Sequence, residues 1–237
     1  LGSWSKALEI YEWALDEHEA LGDRTGVVTT LGNMGLVYQH LGRHAKAVEI
    51  FERALARADA LRDRVRAVEL RTGLAASQEA LGDRAGALAS LGQAVHQGER
   101  LRANDLLLRA LGGLARVKLA AGDARGAVAE AHRGVALLET LLGGLGEEQG
   151  ATAREQFAAL FSIGVEGAVR ADDAGEAAFF LESGRAGTLL EALGGRESMR
   201  WAGLPDELRV ALAAARATEV AALRGYHRVL DDGQLSA

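Results

Sequence analysis

The 237-residue chain has no cysteine, which excludes disulfides, thiolate zinc sites and a cysteine nucleophile within it. It has one proline and only 5% aromatic residues, so little in it interrupts a helix. A basic excess is also lacking. With 27 Lys and Arg against 33 Asp and Glu, the net charge is −6, which argues against binding a phosphate backbone and so against nucleic acid. Long apolar runs are absent. Even the stretch from Phe157 to Val169 is cut by Glu166, short of the roughly 18 to 20 residues of a membrane-spanning helix. The first residue is Leu1 rather than methionine, so the chain reads as a trimmed piece on which no targeting signal can be judged. At 49% hydrophobic and 25% charged, the composition is that of an ordinary globular, soluble protein, and a cytoplasmic location is expected.

Ala, Leu, Glu and Arg are abundant and favour helices throughout. The 30 glycines need a separate reason, and they recur at fixed places. Leu1-Gly2, Leu41-Gly42, Leu81-Gly82 and Ala121-Gly122 lie 40 residues apart, as do Ala7, Ala47, Ala87 and Ala127. Ala14, Ala54, Ala94 and Gly134 hold a second small position, and Leu21, Leu61, Leu101 and Leu141 close each unit. Each unit contains two segments with apolar residues at steps of three and four, separated by a glycine turn, and so predicts a helical hairpin. A lone hairpin cannot bury its apolar face, so neighbours must stack into a solenoid.

The stretch from 31 to 54 resembles the tetratricopeptide repeat (TPR) at Leu31, Met34-Gly35, Tyr38, Gly42, Ala47, Phe51 and Ala54. The next copy carries Leu74-Ala75, Gly82, Ala87, Leu91 and Ala94, and the one after it Leu111, Leu114-Ala115, Gly122, Ala127, Ala131 and Gly134. HEAT-type repeats share the 40-residue length, but the small residue after the apolar one and the Ala-x3-Phe of the second helix match the tetratricopeptide pattern. The resemblance implies an all-α fold, a TPR-type solenoid of antiparallel helical hairpins with a long C-terminal helix. Its array is expected over 1–195, as a leading half repeat (3–20) and hairpins over about 21–60, 61–101, 102–142 and 151–193.

Between the last two hairpins, Gly143 to Gly150 reads as a glycine-rich loop, after which Ile163-Gly164, Ala177, Leu181 and Gly184 resume the packing positions with Asp172-Asp173 at the turn. A linker over 196–204 then leads to a terminal helix over 205–231, expected to precede a C-terminal domain beyond the chain. Pro205 suits its first turn, and Asp206 and Glu207 suit its amino-terminal dipole. Its narrow stripe, from Leu208 and Leu212 through Leu223 and Leu230, is that of a helix pairing with one partner.

Glu182-Ser183-Gly184-Arg185-Ala186, followed by Leu204-Pro205-Asp206-Glu207-Leu208, resembles the junction between repeats and protease in bacterial TPR-CHAT proteins, which are caspase-like peptidases. That resemblance implies a regulatory repeat arm rather than an enzyme, because the chain ends before any His-Gly element and has no cysteine.

Sharper chemical readings give way to plainer ones. Gly144-Leu145-Gly146 with Gly150 follows no strand, so it reads as an inter-repeat loop rather than a nucleotide loop. His40 and His44 straddle a turn without a nearby carboxylate, and Ser183 lies outside any nucleophile elbow. Glu147-Glu148 and Asp172-Asp173 read as solvated turn acids, and Trp4, Trp13 and Phe51 as seam residues. No cofactor, metal or catalytic set is expected.

The tetratricopeptide resemblance implies a concave face lined by the first helix of each hairpin. It carries Asn33, Leu36, Gln39 and His40, then Glu69, Thr72, Ala76 and Glu79, then Arg109, Gly112, Arg116 and Leu119. The family's carboxylate clamp needs a lysine where this chain has Gly32, so a peptide's terminal carboxylate is not the expected ligand. Arg109 and Arg116 are the candidates to meet an acidic group. Two functions follow as expectations. One is a protein- or peptide-binding scaffold that regulates, or recruits substrate to, an attached CHAT protease domain, which is itself a possible partner. The alternative is a self-associating scaffold of a transcriptional regulator or signalling protein.

Overall fold

In the computed structural model the structure describes residues 2–142 and 147–194, with side chains over 4–142 and 152–184. The described residues are all-α. The helices are α1 (Gly2–Leu21), α2 (Arg24–His40), α3 (His44–Leu61), α4 (Arg64–Ala80), α5 (Arg84–Leu101), α6 (Asn104–Ala120), α7 (Ala124–Leu142), α8 (Glu147–Gln156), α9 (Ala158–Arg170) and α10 (Ala174–Gly194). Two compact units divide the chain, residues 1–188 and 189–237. Of the second, only the end of α10 is described.

Local chemistry sets this rhythm. From α2 to α7 a new helix starts every 20 residues, so the 40-residue unit is itself two near-equal halves. Asp23, Asp63, Asp83 and Asp123 each accept a hydrogen bond from the backbone N–H three residues on, at 2.9–3.0 Å. Asp173 does the same for Glu176. Each carboxylate satisfies a donor that the first turn cannot pair internally. At the other end, Gly22, Gly42, Gly82 and Gly122 adopt positive φ of 69–86°, the left-handed conformation that closes a helix and that glycine adopts without penalty. Arg62, Arg102 and Asp172 take the same conformation with a side chain in place, at φ 57°, 52° and 55°.

Packing follows a large-into-small rule. The buried Phe51 ring of α3 fills a slot between Gly35 of α2 and Gly73 of α4, where a Cβ would lie 2.6 and 2.7 Å from ring carbons. One repeat on, Leu91 of α5 presses on Gly113 of α6. The polarity then reverses, and Leu160 of the first-type helix α9 enters the gap at Gly134 of α7. Successive first helices touch one another, α2 to α4, α4 to α6 and α6 to α9, whereas α3, α5 and α7 make no comparable contact among themselves. The first helices therefore line the inner, concave side.

Several sequence expectations change. Glu147–Gly150 belongs to α8 rather than to a glycine loop, so Glu147-Glu148 opens a helix instead of decorating a turn. The spacing from Asp83 to Asp123 is 40 residues but from Asp123 to Asp173 it is 50, and the extra residues lengthen the first helix of the last hairpin. That helix breaks at Phe157, whose φ of −109° and ψ of 17° separate α8 from α9. Leu181 is not a packing residue. It is 43% exposed, and Phe180 is buried instead against Gly164. The Gly164–Phe180 interval of 16 equals that of Gly35–Phe51, so the interlock has slid one residue back along both helices. Trp13 is 65% exposed and Trp4 partly so, because α1 packs on α2 with its other flank open. Trp4 stacks on His40 with ring centroids 4.6 Å apart, leaving Phe51 as the seam aromatic of the three.

Candidate functional site

The concave side holds a pocket of about 370 Å³ bounded by α4, α6 and α9. Its floor is apolar, built from Leu91, Leu108, Leu160 and Ile163. It is open where Gly112 carries no side chain, since a Cβ there would only touch Leu160 at 3.6 Å, while the gap at Gly113 is already filled by Leu91. Thr72 and Ala76 form one wall, and Arg109 and Arg116 stand on the rim. The opposite wall, Gln156 and Phe157, comes from the break between α8 and α9. An apolar floor with a few polar groups on its rim suits a side chain inserted from a peptide or helix.

The residues named for this face divide into three groups. Thr72, Ala76, Arg109, Gly112 and Arg116 come together at the pocket. Thr72 Oγ1 donates to the Val68 carbonyl at 2.9 Å, turning its methyl outward, and Arg109 pairs with Asp105 one turn earlier at 3.1 Å. A second group is engaged in holding repeats together. Gln39 donates to the Gly73 carbonyl at 2.7 Å and to Ser77 Oγ at 2.8 Å, tying α2 to α4. Glu79 accepts from Arg116 across α4 and α6, so Arg116 meets the groove already neutralised. His40 is occupied by Trp4 of α1, whereas Glu69 pairs within its own helix with Arg66.

In the third group, Asn33 is half-buried and Leu36 exposed on α2, away from the pocket. Leu119 is corrected outright. It is 6% exposed within the core cluster of Ala115, Ala127 and Leu138, and only its carbonyl is used, accepting from Arg170 at 3.3 Å. Position 119 lies about two turns past Gly112 on nearly the same face, and it is buried because α7 and α9 cover that end of α6. Leu208, Leu212, Leu223 and Leu230 lie outside the described residues.

Missed from sequence were the floor residues and the wall at Phe157. A legible signal existed for the opening, because Gly112-Gly113 is a glycine pair in the middle of a helix that tolerates glycine poorly. No signal within four residues of Phe157 marks the break.

The tetratricopeptide repeat family model matches residues 1–60 and 26–96. Residues 1–96 are tetratricopeptide repeats by this match, and the described helices share the all-α, TPR-like solenoid fold. Among solved structures, BtubC (BKLC) from P. vanneervenii is 19% identical, with a TM-score of 0.68, over 82% of this chain and 76% of that one. A putative kinesin light chain of Podosopora anserina with nearly identical TPR-like repeats is 21% identical, with a TM-score of 0.61, over 83% and 90%. MamA protein is 15% identical, with a TM-score of 0.53, over 79% and 95%. No curated protein matches the sequence. At these identities the likeness shows the fold.

A tetratricopeptide array is a non-catalytic scaffold type that generally binds proteins or peptides. No group of three or more His, Asp or Glu among the described residues is placed to hold a metal ion. No described helix is long and apolar enough to cross a membrane.

Proposed function

We propose that this chain is the protein-binding arm of a cytoplasmic bacterial CHAT protease, recognising a peptide or helix in the concave groove and regulating a caspase-like domain attached after it, or recruiting its substrate. The observation that carries the binding role is the open apolar pocket between α4, α6 and α9, since its floor would stay dry under an inserted aliphatic side chain. The attachment rests on the sequence resemblance at Glu182-Ser183-Gly184-Arg185-Ala186 and Leu204-Pro205. With Glu79 and Asp105 answering Arg116 and Arg109, affinity comes from apolar insertion, and charge contributes orientation.

The test begins with the coding sequence past Ala237. A domain bearing His-Gly and a later cysteine is expected, and its absence discards the protease attachment. Cleavage by the intact protein is then compared with that of Gly112→Arg and Ala76→Arg, which fill the pocket from the solvent side. Loss of regulated cleavage at unchanged melting temperature supports the groove, and unchanged regulation overturns it.

A further inference from the structure

The outer side of the array contains its own control, because the seam between neighbouring second-type helices occurs three times at a 40-residue step. In the first seam Glu19 of α1 pairs with Arg57 of α3 at 3.1 Å, and in the third Glu99 of α5 pairs with Arg133 of α7. At one register position the intervening first helices of these two seams carry a buried leucine, Leu31 or Leu111. The middle seam, between α3 and α5, keeps the acid and departs at the leucine and arginine positions. The leucine is replaced by Arg71, the two arginines by Gln97 and Gln93, and the acid is Asp59.

An arginine in a leucine's place costs desolvation that packing does not return, so something other than packing accounts for it. The Arg71 side chain is 13% exposed. Its Nε donates to Gln93 Oε1 at 3.1 Å, Nη1 to Gln97 Oε1 at 2.9 Å and Nη2 to Asp59 Oδ2 at 3.4 Å. Guanidinium carries five N–H donors and accepts nothing. Two donors are therefore left over, and both glutamine oxygens must face the cation, which turns both amide NH2 groups away from it.

These groups border a pocket of about 410 Å³ whose rim is Arg64 from the start of α4 and Arg100 from the end of α5, with His96 beside them. No carboxylate lines it. Neither Arg64 nor Arg100 forms an ion pair with any described residue. A chain of net charge −6 has gathered three arginines here, at one seam of three.

We propose that this pocket is an anion site that takes the phosphoryl group of a phosphorylated protein segment, on the face opposite the concave groove and independent of it. The held guanidinium supplies a fixed two-pronged donor, the glutamine amides add neutral donors, and Arg64 and Arg100 close on the remaining oxygens. The volume accommodates the side chain that carries the phosphate as well as the phosphate. Overall negative charge disfavours a nucleic-acid polyanion, while one local dianion meets three arginines, of which, among the described residues, only Arg71 is answered by a carboxylate, that of Asp59.

The test uses the full 237-residue chain with inorganic phosphate, a glycine-flanked phosphoserine peptide, its unphosphorylated form and a single-stranded RNA, read by thermal unfolding and by the arginine Nε–H resonances. The phosphopeptide is expected to raise the melting temperature and move the Arg71 signal, to bind about tenfold tighter than inorganic phosphate, and to lose that binding without its phosphate. Arg71→Leu restores the residue of the sibling seams, so it should melt no lower than the parent and yet not respond. Arg64→Ala with Arg100→Ala alters only rim residues and should weaken binding about tenfold at unchanged melting temperature. If Arg71→Leu does not fold, the rim pair decides. An unresponsive parent, a response that survives these substitutions, free phosphate binding as well as the peptide, or RNA displacing it would each overturn the proposal.

Discussion

The seams around Phe51 and Phe180 solve one packing problem in two ways. Phe51 is clasped by glycines of two successive first helices, Gly35 and Gly73, so the ring joins its own hairpin to the next. Among the described residues Phe180 meets a single glycine, Gly164 of its own hairpin, and is edge-on to His132 and Phe179 with centroids 6.0 and 5.1 Å away. The difference shows that the 16-residue spacing of glycine and aromatic belongs to the hairpin, whereas propagation of the array depends on what the neighbouring helix places opposite. Where Ala131 of α7 took the place of Phe51 and Leu91, with Gly134 at the small position beside it, the neighbouring helix supplied Leu160, and the groove gained a new wall.

The largest test of this contrast is truncation of the ring. Phe51→Ala empties a slot bounded by two helices and is expected to cost about 3–5 kcal/mol. Phe180→Ala should cost less, because among the described residues its ring fills one glycine slot instead of two. Equal losses in denaturant unfolding would show that the inter-repeat clasp adds nothing.

Overfilling comes next. A Cβ at Gly164 would overlap the Phe180 ring, so Gly164→Ala is expected to destabilise by about 1–3 kcal/mol, and much of that loss should vanish in a Phe180→Leu background. Gly92→Ala in α5 meets open space and should instead stabilise by about 0.5–1 kcal/mol through helix propensity alone. Two glycine-to-alanine changes of opposite sign, read in the same thermal melts, would separate packing glycines from incidental ones.

Turns give a smaller effect. Arg62 and Arg102 hold a left-handed conformation that Gly22, Gly42, Gly82 and Gly122 adopt freely, so Arg62→Gly and Arg102→Gly are each expected to gain up to about 1 kcal/mol. A loss in melting temperature would mean that the side chains at these sites hold the turn.

The smallest concerns pH. The Gly26 N–H, opposed by slight desolvation and helped by His18, holds the Asp23 carboxyl below its ordinary 3.8. A carboxylate with a depressed folded value adds stability that is complete above about pH 4 and drains away as pH falls through that value. Wild type and Asp23→Ala should therefore differ in melting temperature at neutral pH and converge as the pH drops below 3.8. Convergence toward high pH would reverse the assignment.

Much of this architecture was readable before any coordinate. The glycine turns, the 40-residue register and the all-α solenoid come from contacts inside four residues, which periodicity and turn chemistry report directly. Reading failed wherever a side chain's role depends on a residue tens of positions away. Gln39 looks like a groove residue but holds Gly73 and Ser77, and Glu79 and Arg116 look like free charges but neutralise each other. Phe157 ends a helix with none of the usual stop residues, and Leu119 turns inward although its spacing nearly matches the groove stripe.

Local chemistry in the chain therefore set the class of fold, the lengths of helices α2 to α7 between their turns, and the small and large residues that must meet there, because backbone hydrogen bonds, aspartate caps and left-handed glycines act over one helical turn. Tertiary structure alone decided which glycine each large residue enters, which polar groups remain for a partner, and that Arg71 gathers two glutamines and an aspartate from two other helices. Those outcomes depend on how neighbouring hairpins register against one another, a relation set by shape complementarity across the seam.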